Sequence, residues 1–275
     1  MKHQKKIALI NDVTGYGRCS VAVELPIISA LKIQACVLPT AILSVHTGFP
    51  TYYIDDYTDR MKPYMENWKE NNLTFDGIST GFLGSVQQIK LVLDFLRNFK
   101  KEGTTVIVDP VMGDYGKLYS SYTEELCRGM RHLLPYADVI TPNLTEACRL
   151  LQIPYPEDGR TTLAELRDMA GALSGLGPEK LVITGIHCGE DIGNYIYERS
   201  AEPQLLKTKK IGSDRSGTGD VFAGIVSGIV VQGRPLTEAV RTAADFITKT
   251  MIYTEELDLP HNCGLAFEEF LTELK

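Results

Sequence analysis

Two glycines flank a threonine at Gly217-Thr218-Gly219, and Asp220 follows directly. The apolar stretch 221–226 behind them predicts a helix that opens at this motif. Glycine has no Cβ, so the backbone at 217 and 219 can take positive φ and come close to a ligand. The first amides of a helix lack intrahelical acceptors. Several of them converging, with the positive end of the helix dipole behind, form an anion site. A carboxylate beside a resting anion is unfavourable. It becomes useful if the anion is a phosphoryl group in transfer and Asp220 takes the proton of the attacking hydroxyl. The competing reading is a glycine turn whose aspartate merely caps a helix. Arg215, just upstream, either touches phosphate or is solvated.

Other polar residues follow apolar runs. Asp109-Pro110-Val111-Met112-Gly113-Asp114 succeeds the β-branched run 104–108. Mg²⁺ in phosphoryl-transfer sites takes one or two protein carboxylates together with water and phosphate oxygens. The spacing lets Asp109 and Asp114 face one site; the alternative is a turn with solvated acids. Asn143 and Glu146 follow the run 137–140 and read either as a capping box or as a further oxygen-ligand cluster. Asp12 ends the first apolar run and is either a turn residue or a ligand contact. The segment 44–49, Ser-Val-His-Thr-Gly-Phe, suits a pocket for a flat polar ring, with His46 and Thr47 offering hydrogen bonds and Phe49 a wall. Phe82 is a second aromatic in such a place, and a core position serves it equally. Thr184-Gly185 is small enough to admit a nucleotide phosphate or a monovalent cation.

The elements that must position these groups alternate. Strands are predicted at 5–10, 33–39, 75–79, 104–108, 137–140 and 180–183, with a hairpin at 193–197 and 204–210. Helices are predicted at 18–32 with a kink at Pro26, 86–99 capped by Ser85, 121–134, from Thr161 or Thr162 to about 175, after 220, from 234 to about 249, and at 265–274. Residues 11–17 read as a loop. Residues 52–68 read as a lid-like excursion followed by a helix. Alternating β and α predicts a parallel sheet covered on both faces, with ligands at the carboxyl ends of its strands. No repeat or linker stands out, so 1–275 reads as one domain.

The chain has 275 residues, 44% hydrophobic and 23% charged, with net charge −7. No basic cluster tracks a nucleic-acid backbone. No run of about 20 apolar residues predicts a membrane span, and the basic start at 1–6 precedes too short an apolar run for a secretory signal. The six cysteines include no C-x-x-C pair, which excludes zinc spacing and predicts reduced thiols in the cytoplasm.

Gly217-Thr218-Gly219-Asp220, the 109–114 segment and Thr141-Pro-Asn-Leu-Thr-Glu146 together resemble the ribokinase-like superfamily. The 44–49 segment is similar to the substrate loop of its vitamin B6 kinase branch. The resemblance implies a three-layer αβα sandwich with a mostly parallel sheet, ATP as co-substrate with Mg²⁺, and phosphorylation of the 5′-hydroxymethyl of a pyridine. It implies that Asp220 is the base and that the amides of Gly217, Thr218 and Gly219 form the anion hole. Asp109, Asp114, Asn143 and Glu146 then surround metal and phosphates, with Asp109 and Glu146 on the metal. Thr184 and Arg215 lie by the nucleotide, and Asp12, His46, Thr47 and Phe82 line the vitamin pocket. A homodimer is usual in the branch. Phe82 stands where many members carry tyrosine, and the loop 12–18 is shorter than in animal-type enzymes. Hydroxymethylpyrimidine kinase chemistry on the same scaffold is the alternative reaction. A vitamer-binding protein without catalysis is the alternative class.

Overall fold

The computed structural model describes residues 3–274. In chain order the elements are β1 (Lys6–Tyr16), α1 (Val21–Ala30), β2 (Gln34–Val45), β3 (Ile54–Asp56), α2 (Thr58–Glu70), β4 (Gly77–Thr80), α3 (Val86–Phe99), β5 (Thr105–Val108), β6 (Gly113–Asp114), β7 (Lys117–Leu118), α4 (Glu124–Met130), β8 (Val139–Ile140), α5 (Leu144–Leu151), α6 (Leu163–Ser174), β9 (Lys180–Cys188), β10 (Asp191–Glu198), β11 (Gln204–Lys209), α7 (Thr218–Val231) and α8 (Leu236–Glu256). Nine strands form one sheet in the order β11-β10-β9-β8-β5-β4-β1-β2-β3, and β6 and β7 form a separate small hairpin. The pairs from β9 through β8, β5, β4 and β1 to β2 are parallel. The outer pairs β9–β10, β10–β11 and β2–β3 are antiparallel.

Side chains alternate across a strand, and the apolar runs of the central strands supply both faces. Ala8, Ile10, Val106, Val108, Ile140, Leu181 and Ile183 enter a core shared with α3, α5 and α6. Their neighbours Ile7, Leu9, Ile107, Val139 and Val182 enter a second core with α1, α7 and α8. Two cores on one sheet make the αβα sandwich that the alternating pattern predicts. The second core is tight: a Cβ on Gly228 of α7 would meet Leu31 Cδ1 at 2.4 Å.

Four expectations are corrected. β1 does not stop at Ile10 but runs to Tyr16, and β2 runs to Val45, because the two strands keep pairing beyond the helix layer. Their register shifts between Asn11 and Val13, and a bulge of this kind re-aims a side chain, here Asp12. Residues 54–56, expected in a lid, pair antiparallel with β2 as an edge strand. The helix expected over 121–134 is α4 followed by a 3₁₀ turn over Arg131–Tyr136 that contains Pro135. The terminal helix expected over 265–274 is a 3₁₀ turn, Glu268–Glu273.

Candidate active site

A cavity of about 590 Å³ opens at the carboxyl ends of the strands, and every candidate residue named from the sequence except Phe49 lines it. Gly217 is the N-cap of α7 at φ 78°, in the left-handed region that favours glycine. A Cβ there would lie 1.9 Å from the Arg18 carbonyl oxygen, whereas one on Gly219 would meet nothing within 4 Å. Gly217 is therefore required by the protein's own packing. The space beside Gly219 is open and faces the cavity. Among the described residues, the amides of Gly217, Gly219 and Asp220 have no backbone acceptor outside the helix, whereas Thr218 turns its amide (3.4 Å) and its hydroxyl (2.8 Å) to the Arg215 carbonyl. Gly219 and Asp220 thus supply the open donors, and Thr218 stiffens the turn.

The Ser20 amide, the Cys19 thiol and the Asn11 side chain act on the Asp220 carboxylate to hold its pKa down. Desolvation nevertheless raises it to about 6, with the Asp12 charge adding to the rise. Asp109 lies far above the usual carboxylate range because it is desolvated and faces Asp220; its Oδ1 accepts from Thr141 Oγ1 at 3.2 Å. Glu146 is raised in turn, by desolvation and then by Asp109. Residues far apart in the chain therefore form one like-charged cluster, an arrangement that marks functional sites.

Asp12, buried at the bulge, accepts from Ser20 Oγ at 2.6 Å and from Thr14 Oγ1 at 2.9 Å. Thr47 and Phe82 line the same cavity. His46 differs from expectation. Its Nε2 bonds the Asn262 carbonyl at 2.8 Å and its Nδ1 accepts from the Gly48 amide at 3.1 Å. Both nitrogens are committed to backbone, so the ring offers an edge and a face, with Phe49 packed against it at 4.9 Å, rather than a hydrogen bond to a ligand. Arg215 also departs from the phosphate role. Nε and Nη2 donate to Glu255 Oε1 at 3.2 and 2.9 Å, and Nη1 donates to the Leu259 and Pro260 carbonyls. Its guanidinium clamps the cradle onto α8.

Glu146 closes a capping box with Asn143, and its Oε1 also accepts from the Met112 amide at 3.0 Å. With Oε2 held by the Asn143 amide, both carboxylate oxygens carry backbone donors. Asn143 Nδ2 donates to the Gly113 carbonyl, which ties the β6–β7 hairpin to α5. That hairpin also reaches the cradle loop through Tyr115 Oη, which donates to Asp214. Asp114 on the hairpin is raised to about 6 by desolvation and by Asp214, with His187 and Lys210 opposing. Thr184 joins Asn143 in an isolated parallel bridge.

The residues present fit a hard divalent cation. All donors are oxygens, they repel one another when ionised, and among the described residues the side-chain hydrogen bond of Asp109 is made by Oδ1 and not by Oδ2. Among the described residues no group of three His, Cys, Asp or Glu forms a metal cage. Mg²⁺ bound to phosphate and water needs none. Two residues with no motif of their own also line the site, Asn11 and Ser20, and Glu24 is buried behind Asn11. The signal for Glu24 was its isolation, an acid inside Val-Ala-Val-Glu-Leu-Pro-Ile-Ile.

A doubly covered sheet whose carboxyl edge carries a glycine cradle with an acid in the next helical turn is the ribokinase-like architecture. The chain belongs to the phosphomethylpyrimidine kinase family, whose model matches residues 27–265. It is 34% identical over 197 residues to pyridoxal kinase of Arabidopsis thaliana, across 67% of this chain and 61% of that protein. The chain thus matches less than two thirds of that relative's length. It is 28% identical over 197 residues to hydroxymethylpyrimidine/phosphomethylpyrimidine kinase of Haemophilus influenzae, across 70% of this chain and 71% of that one. A provisionally assigned phosphomethylpyrimidine kinase of Bacteroides thetaiotaomicron, crystallised with pyridoxal, superposes with TM-score 0.95 at 37% identity, covering 99% of this chain and 96% of that one.

Proposed function

We propose that this protein transfers the γ-phosphoryl group of ATP to the 5′-hydroxymethyl of a B6 vitamer. One observation carries the reading: the Asp220 carboxylate and the open amides of Gly219 and Asp220 occupy a single helical turn and face the cavity that also holds Asp12 and Asp109. The Asp220 carboxylate takes the hydroxyl proton as the alcohol oxygen bonds to γ-phosphorus, the bond to the β-phosphate bridging oxygen breaks, and ADP leaves. The cradle amides receive the charge on the transferring group's oxygens. Asp109 would hold Mg²⁺ directly and Glu146 through water, since both Glu146 oxygens already accept backbone bonds. Bound there, Mg²⁺ neutralises phosphate charge. Asn143, Thr184 and Asp114 border the phosphate side, and a monovalent cation beside Thr184-Gly185 belongs to the same proposal.

The ring end supports the B6 reading. Asp12 is aimed by its bulge, and His46, backed by Phe49, and Phe82 form a wall suited to a flat heterocycle. The crystallised Bacteroides relative binds pyridoxal, in line with this. Hydroxymethylpyrimidine is the second reading, favoured by the Haemophilus relative and the family's own description. Turnover of pyridoxal, pyridoxine, pyridoxamine and hydroxymethylpyrimidine with ATP and Mg²⁺ in one assay separates them. The B6 reading requires the highest kcat/KM among the three vitamers, and a preference for the pyrimidine replaces it. Pyridoxal binding without ATP turnover would leave only a binding protein.

A homodimer and a cytoplasmic location complete the proposal. Exposed Tyr16, Ile42, Tyr53 and Ile54 on β1 to β3 and the segment between β2 and β3 supply an apolar face for a second copy. Among the described residues all six cysteines are free, and no helix is long and apolar enough to cross a membrane.

A further inference from the structure

The stretch 259–264, between α8 and the 3₁₀ turn Glu268–Glu273, does not line the cavity, yet its backbone holds three loops that do. Arg215 of the cradle donates from Nη1 to the Leu259 and Pro260 carbonyls at 2.7 and 3.3 Å. His46 of the 44–49 segment donates from Nε2 to the Asn262 carbonyl at 2.8 Å. A carbonyl only accepts, so that nitrogen carries the ring's proton. Arg18, in the loop before α1, donates from Nη1 to the Cys263 carbonyl at 3.1 Å and from Nε to Glu268 at 2.7 Å. Gly264 completes the fit at φ 72°, where an added Cβ would lie 2.8 Å from the Arg18 carbonyl oxygen and 3.0 Å from that of Ser216. Carbonyls at the end of a helix draw cations. The Arg215 side chain, 4% exposed, sits at that end of α8 with Glu255 at 2.9 Å.

We propose that the 259–264 strap is a common fastener for the two halves of the site, with Arg215 and Arg18 as positioning residues: it sets the placement of the ring wall against the phosphate cradle. The proposal rests on the kinase reading. Each loop has a local closure of its own. Thr218 closes the cradle turn on the Arg215 carbonyl, and the Gly48 amide closes the 44–49 turn on His46 Nδ1. Neither bond places one loop against the other, and the strap does. Misplacing a bound reactant by about 1 Å costs about 100-fold in rate. Lysine is no substitute for Arg215, whose planar fork spans a carboxylate and two carbonyls at once.

Arg215→Gln and Arg18→Gln each cut one cation from the strap, and Arg18 lies outside the cavity lining. Turnover is measured with ATP, Mg²⁺ and the alcohol that the wild type uses best, well below the Tm of every variant. Calorimetry gives the affinities for ATP with Mg²⁺ and for that alcohol separately. The expected kcat is lower by about 100-fold in Arg215→Gln and by about tenfold in Arg18→Gln. Each separate affinity stays within about threefold of wild type, the split of an interaction used only in the transition state. Because both residues act through one strap, the double variant is expected within about threefold of Arg215→Gln, short of the product of the two losses. A full product overturns the common fastener. So does a kcat within about threefold of wild type in either folded variant, or a joint loss of kcat and both affinities that follows Tm. Selective loss of ATP affinity in Arg215→Gln overturns it too, by making the guanidinium a phosphate contact. If Arg215→Gln does not fold, Arg18→Gln decides by kcat and affinity. A wild type without turnover overturns the kinase reading and the proposal with it, whereas wild-type turnover with a failed split overturns the proposal alone.

Discussion

The Ser20 hydroxyl donates to Asp12 Oδ1 at 2.6 Å, while the Ser20 amide holds down the pKa of the Asp220 carboxylate. One residue thus links the group assigned to the substrate ring with the group assigned to the chemistry. It does so from φ 54°, ψ −134°, a conformation that costs a non-glycine residue about 1–3 kcal/mol. Ser20→Gly relieves this strain, keeps the amide and removes the hydroxyl. The expected result is an unchanged or higher Tm, kcat within about twofold, and a KM for the alcohol raised about five- to tenfold, the loss of one hydrogen bond to a charged group. Ser20→Val keeps the strain with a β-branched residue and lowers Tm. Steady-state kinetics and thermal unfolding of the two variants check this; a kcat effect without a KM effect in Ser20→Gly would move the serine's role from Asp12 to Asp220.

Gly217 and Gly219 sit two residues apart and should respond oppositely to alanine. At Gly217 the positive φ and the Arg18 carbonyl at 1.9 Å from a built Cβ leave no room. Gly217→Ala is expected to lose about 2 kcal/mol or more, from backbone strain and displaced packing. At Gly219 a Cβ meets nothing within 4 Å, and alanine in a helix gains up to about 1 kcal/mol over glycine. Gly219→Ala should therefore be as stable as wild type or more so. Its ATP affinity and turnover should fall because the methyl occupies the ligand's space. Denaturant unfolding and ATP titration decide; full ATP binding by Gly219→Ala would mean that the open space is not a phosphate seat.

Much of the site was legible in the sequence because its motifs pair a chain-bending residue with a polar one directly before or after an apolar run. Asp109, Asn143 and Gly217 to Asp220 follow that rule, and all face one cavity. The roles of His46 and Arg215 were not legible, since their partners, Asn262 and Glu255, lie far along the chain in segments without pattern. The extension of β1 past Ile10 was hidden for a related reason. Gly15 and Gly17 signal a turn locally, and only pairing with the equally extended β2 overrides that signal. Asn11 and Ser20 act through backbone geometry, which residue type does not report.

The burial that raises Asp220 to about 6 sets a pH dependence. The base works ionised, so activity is present above that value and is lost as pH falls through it. The expected kcat/KM for the alcohol falls about tenfold per pH unit below roughly pH 6, with a plateau above. Asp220→Asn should lose about 10²- to 10⁴-fold in kcat, and its residual rate should lack the acid limb. Rate profiles at saturating ATP and Mg²⁺ test both points. A wild-type limb that persists unchanged in Asp220→Asn would assign it to another acid of the cluster.

Glu24 offers a separate test, read as stability rather than rate. It is buried in α1 and raised well above its ordinary 4.5 by desolvation and then by the Asp220 charge, against the Asn11 hydrogen bond. The folded protein therefore holds this proton to higher pH than the unfolded chain does. Below 4.5 both states carry it and its stabilisation is complete. As pH climbs toward the folded-state value, the unfolded chain has released the proton and the native one has not, so rising pH favours unfolding. Glu24→Gln is uncharged at every pH, its carboxamide oxygen still accepts from Asn11 Nδ2, and its amide nitrogen stands in for the protonated oxygen. Relative to wild type, its Tm is expected to change little near about pH 5 and to rise as the pH is raised from there, because only the wild type bears the linkage. Thermal melts of the two proteins across that range provide the check. A wild type that gains on Glu24→Gln as pH rises would mean that the buried acid is ionised in the fold, with Asn11 stabilising a charge beside Asp220 rather than a neutral group.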